Sequence, residues 1–83
     1  MRCVVRKINY RRGMVIFEDV FGDYGYFEML GKDDLEEDDV IIGNLHNHGS
    51  EVIVKDKTGE KYDVFIEDFG MSLKFAMDKV FKR

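Results

Sequence analysis

Apolar residues in this chain fall into short runs separated by glycine-bearing turns, the spacing expected of an all-β protein. The first run, residues 3–8, ends at Tyr10–Arg11–Arg12–Gly13, where glycine supplies backbone angles that other residues avoid. A second run over 14–17 continues to Val20 and stops at 21–23. A third covers 24–30 and is closed by Gly31. Residues 39–45, 51–55 and 61–66 are expected as the fourth, fifth and sixth strands, the last two joined by a hairpin turn over 57–60. Between the third and fourth, residues 32–39 are polar around one apolar residue, Leu35, and read as a loop or a single helical turn. Alternation along the third strand places residues 24, 26 and 28 on one face, with Phe27 and Met29 on the other.

The tail changes period. Leu73, Ala76, Met77, Val80 and Phe81 recur at helical spacing and line one face of a helix. Ser72 stands where an N-cap belongs, and Lys79, Lys82 and Arg83 suit the negative end of the helix dipole. The apolar stripe is expected to pack on the barrel and close one open end, leaving Phe75 off the stripe and exposed.

Composition bounds the size of the answer. The chain has 83 residues, 45% of them apolar, with seven Phe and four Tyr, enough for one domain with its own core. The expected organisation is a single domain over 1–83, with a barrel at about 2–67 and a helix at about 71–82. A lone cysteine, Cys3, excludes an internal disulfide and fits a reducing compartment. No charged segment leads into a long apolar run, as a signal peptide requires. No apolar stretch approaches the roughly 20 residues that span a bilayer. The expectation is a soluble, cytoplasmic protein without membrane contact.

Charge is distributed unevenly. The net charge is −4, but residues 1–17 carry +5, residues 18–39 carry −9, residues 40–70 carry −3 and residues 71–83 carry +3. Such a dipole across a small domain can steer a protein partner or pair with a second copy head to tail.

Little in the chain points to catalysis. His46–Asn47–His48–Gly49 puts two imidazoles on one side if extended, but structural zinc wants four ligands and catalytic zinc usually three; Cys3 is the one soft third ligand. Turn chemistry explains the same tetrapeptide, and no metal site is expected. Residues 33–39 hold six acids in seven positions, without the alternating oxygens and central glycine of a calcium loop. Ser50 lacks a nucleophile-elbow context, Cys3 sits in an apolar run, and no phosphate-binding glycine loop is present. These features predict a non-catalytic, cofactor-free chain.

Residues 13–17 followed by Gly22–Asp23–Tyr24–Gly25–Tyr26–Phe27 resemble the first two strands of cold-shock-type OB domains. The resemblance covers about 15 residues, with Gly22 where that family has lysine and Asp23 where it has glycine. It implies that Tyr24 and Tyr26 are stacking residues and that Phe27 points inward. Residues 2–9 are then either an extra strand ahead of the match or the first barrel strand, with loss of the cold-shock register. The expected fold is mostly β: an OB-like small antiparallel barrel of five or six strands with a C-terminal α-helix. The expected ligand-binding set is Tyr24, Tyr26, Phe17, Arg11, Arg12 and Phe75. Two functions follow for it. One is protein interaction or self-association. The alternative is single-stranded nucleic-acid binding through Tyr24 and Tyr26 with Arg11 and Arg12, which Asp19, Asp23, Glu28 and the net charge oppose.

Overall fold

In the computed structural model, which describes residues 1–82, the apolar runs become six strands followed by one helix. They are β1 (Arg2–Asn9), β2 (Met14–Glu18), β3 (Tyr24–Met29), β4 (Val40–Ile42), β5 (Gly49–Lys55), β6 (Lys61–Met71) and α1 (Leu73–Phe81). All neighbouring strands pair antiparallel and close in the order β1-β2-β3-β6-β5-β4. The chain is thus mostly β, a closed six-stranded antiparallel barrel with one C-terminal helix, consistent with a small OB-like barrel. Because β1 pairs with both β2 and β4, residues 2–9 are an integral barrel strand. The register in which the barrel begins at residue 14 gives way to one that begins at residue 2.

Alternation sets what fills the barrel. Val5, Val15, Phe17, Phe27, Ile41, Ile53, Val64 and Ile66 all point inward and are buried. The Phe17 and Phe27 rings stack with centroids 5.9 Å apart, each burial contributing roughly 1.5–3 kcal/mol. Leu35 and Leu45 reach in from loops to join this core. The last three strands depart from their expected bounds, the fifth beginning at Gly49 rather than at residue 51. The fourth is only Val40–Ile42; Gly43 still exchanges backbone bonds with Met1, both at 3.0 Å, and beyond it the chain turns Leu45 into the core. The sixth runs on to Met71, its pairing with β3 carried past irregularities on either side of Tyr26.

A second, smaller core lies on the outside. Met14 and Ile16 of β2 meet Ala76 and Val80 of α1, with Tyr24, Tyr26, Met71, Leu73 and Met77 packed around them. This is why residues 14–17 are buried without a break: Val15 and Phe17 face the barrel interior while Met14 and Ile16 face the helix. The helix therefore lies along the outer wall over β2 and β3 rather than across an open end, a correction to the expected placement. Its start is set by Ser72, whose hydroxyl accepts from the Phe75 amide at 3.1 Å. At its other end, Arg12 Nη1 donates to the carbonyls of Lys79 (3.0 Å) and Val80 (2.8 Å), and Asn9 Nδ2 donates to Val80 (2.8 Å). Of the expected terminal cations, Lys79 lies in the last turn, Lys82 is the C-cap and Arg83 lies outside the described residues.

Candidate binding surface

The expected ligand-binding residues do not form one surface. Phe17 is wholly buried in the barrel interior, a correction that follows from strand alternation. Tyr24 and Tyr26 do face outward as expected, but α1 covers that face, so both rings are half-buried against Met14 and Ile16 rather than open for stacking. Burial, with carboxylates nearby, raises the pKa of each phenol. Arg12 holds the helix C-terminus, and Arg11 is exposed on the β1–β2 turn. Phe75 is half exposed, with the Lys79 ammonium 5.3 Å from its ring centroid. Of the expected set, Arg12 and Tyr26 share one groove, together with Met14, Glu28, Glu67 and Lys79.

The basic first hairpin is also largely engaged. Arg2 pairs with Asp56 at 3.0 Å, and Arg6 bridges Glu18 (2.9 Å) and Asp38 (3.2 Å). At the same end as the acidic loop, Lys32 pairs with Glu60, and Lys55 lies near Asp39 and Glu60. Within the first hairpin, Arg6 is thus the residue that ties the basic segment to the acidic 18–39 segment.

A different constellation forms where the β2–β3 turn and the β4–β5 loop emerge at one end of the barrel. Asp19 follows β2, and its carboxylate is fully buried. Its Oδ1 accepts from the amides of Phe21 (2.8 Å) and Asp23 (3.0 Å), and its Oδ2 lies 2.8 Å from His46 Nε2. Burial alone would raise this carboxyl, but the hydrogen bonds from His46 and the two amides outweigh it and hold its pKa below the ordinary aspartate value. An ionised carboxylate only accepts, so His46 carries its proton on Nε2.

Two further backbone bonds tighten the turn, Asp19 N to Asp23 O at 2.8 Å and Gly22 N to Asp19 O at 3.1 Å. Gly22 sits at φ +82°, which glycine adopts without strain. The apex residues Val20 and Phe21 are left in solvent, Phe21 at 73% exposure.

From Phe21 an aromatic ladder runs along the rim. Phe21 stacks on His46 with centroids 6.4 Å apart, His46 on Phe69 at 4.9 Å, and Phe69 on His48 at 4.6 Å. His48 Nε2 lies 3.3 Å from Asp68 Oδ1. The Phe69 amide and His48 both bind the Asp68 carboxylate and lower its pKa. Both imidazoles thus stack on one ring, each facing its own carboxylate, and do not converge on a shared metal. Among the described residues no group of three or more His, Cys, Asp or Glu is placed to hold a metal ion.

Sequence reading missed this ladder because Asp19 and His46 are 27 positions apart. The available signal was the exposed pair Val20–Phe21 at a glycine turn that begins with Asp. Comparison with protein-family models, with curated proteins and with solved structures finds no match to this chain. The fold and the rim therefore define a class alone: a small six-stranded barrel displaying an aromatic, acid-edged turn.

Proposed function

We propose that this chain is a non-catalytic protein-interaction module that binds through the Val20–Phe21 turn and the adjoining ladder. One observation carries the proposal: a large aromatic ring stands in solvent on a turn that a buried carboxylate has already ordered. Aromatic anchors dominate protein interfaces, and a pre-ordered display loop loses little entropy on binding. The surrounding carboxylates, Asp23 and Asp68, favour a partner with an apolar pocket and a basic rim.

Within this reading the Asp19–His46 pair is structural: it holds the turn and seats the imidazole on Phe69 rather than activating a nucleophile. Burial first, and Asp19 second, raise the pKa of the Cys3 thiol to about 12, so the thiol stays protonated. A lone buried thiol of this kind suits a reducing, cytoplasmic setting. No helix among the described residues is long and apolar enough to cross a membrane.

Selection of a random peptide library against the intact chain tests the proposal. The expected consensus combines a large apolar residue with Lys or Arg, and Phe21→Ala abolishes binding without lowering Tm. Peptides that bind Phe21→Ala equally well overturn it. So does saturable, salt-sensitive binding of a mixed single-stranded oligonucleotide that is lost on Tyr26→Ala, since that result returns the function to nucleic acid.

A further inference from the structure

The outer wall of the barrel runs continuously across β2, β3, β6 and β5, and α1 covers only its β2–β3 half. On the uncovered half, Phe65 of β6 and Val52 of β5 point outward and are exposed, joined by Leu30 from the loop after β3. In the ladder Phe65 stands opposite Glu28 on one side and Ser50 on the other, and Val52 stands opposite Asp63. Leu30, Ser50, Val52 and Asp63 line a groove of about 420 Å³ on this half. Leu30, Val52 and Phe65 form a patch on the sheet face, so association through it is face to face.

One flank of α1 matches this half. Phe75 and Lys79 fall at i and i+4, neighbours along one flank of the helix. Lys79 shares a groove with Glu28 and Glu67, which turns that flank toward β6 and places it beside the bare strands. The flank is aromatic and basic. The bare half is apolar and edged by Glu28 and Asp63, with Lys61 at the far end of β6.

We infer that two copies of this chain pair about a two-fold axis, each laying the Phe75–Lys79 flank of its α1 on the Leu30–Val52–Phe65 face of the other. The interface extends the helix-on-sheet layer that each chain already makes within itself. It is also self-complementary, because both patches lie side by side on one wall. Charge complementarity selects a second copy as the occupant: Lys79 of one chain meets Asp63 at the edge of the bare face of the other. The Phe21 turn lies at a barrel end and takes no part, so this inference stands apart from the proposed partner surface.

Sedimentation velocity of the full chain at about 50 mM and about 500 mM salt reads the outcome. The expected species at low salt is a dimer of twice the 9.8 kDa chain mass, with affinity about tenfold weaker at high salt. Phe65→Ser with Val52→Ser abolishes it, Lys79→Glu and Asp63→Lys each weaken it, and the Lys79→Glu, Asp63→Lys double variant restores it. Phe21→Ala leaves it unchanged. A monomer at every concentration overturns the inference. So does a dimer indifferent to Phe65 and Val52, or one that Phe21→Ala dissolves.

Discussion

Removing the Asp19 carboxylate tests how the displayed turn is held. In the native chain it accepts three hydrogen bonds while shielded from solvent, two from turn amides and one from His46. Asp19→Ala strips all three donors of their partner. A hydrogen bond to a charged group contributes about 1.5–3 kcal/mol, and losses within one network overlap, so the expected destabilisation is about 3–4 kcal/mol at neutral pH. In a chain of this size that corresponds to a fall in Tm of about 15–25 °C. Asp19→Asn keeps an oxygen for the amides but loses the charge, and should cost about 1–2 kcal/mol.

Acid provides the second reading of the same experiment. The folded-state pKa of Asp19 lies below its unfolded value, so its ionised form stabilises the fold fully above the unfolded value of about 3.9. That contribution disappears as pH falls through the folded pKa. Urea unfolding followed by circular dichroism should therefore show the native chain and Asp19→Asn converging in acid. A gap that stays constant down to about pH 2 refutes the assignment of the charge to this carboxylate. An alanine variant that loses less than about 1 kcal/mol refutes its structural role.

Three other outcomes follow from the packing. A Cβ at Gly25 would come within 2.5 Å of the Phe17 ring and 2.6 Å of the Asp68 carbonyl, so backbone has to move; Gly25→Ala should cost about 1–3 kcal/mol in urea unfolding, whereas Gly31→Ala, with nothing within 4 Å, should cost far less. Arg12→Ala removes both guanidinium bonds to the end of α1; hydrogen exchange should speed up across residues 76–80, with a stability loss of about 1–2 kcal/mol, while the barrel amides stay protected. Finally, the Cys3 thiol is buried and its pKa raised to about 12, so its reaction with an aromatic disulfide reagent should track unfolding; rapid modification of the folded chain contradicts the burial.

How much of this was legible in the chain differs from element to element. The strands and turns followed from period-two alternation and glycine spacing, and the helix from its apolar stripe behind Ser72, because those signals are local. Alternation also told correctly that Tyr24 and Tyr26 share a face and that Phe27 opposes it. It was silent on what covers that face. The unbroken apolar stretch at residues 14–17 was the one local hint that both sides of β2 are buried.

The sequence alone, then, determined which residues become strand, turn or helix, and which side chains share a face, since these depend on neighbours a few positions away. Only the closed barrel decided that α1 lies on the outer wall, that Arg2, Arg6 and Arg12 are taken up internally, and that Asp19 meets His46 across 27 positions. Such contacts arise from the strand order and register of the whole sheet, and no stretch of sequence contains them by itself. The candidate surface is a product of that closure, which brings together two loops with no sequence relation to each other.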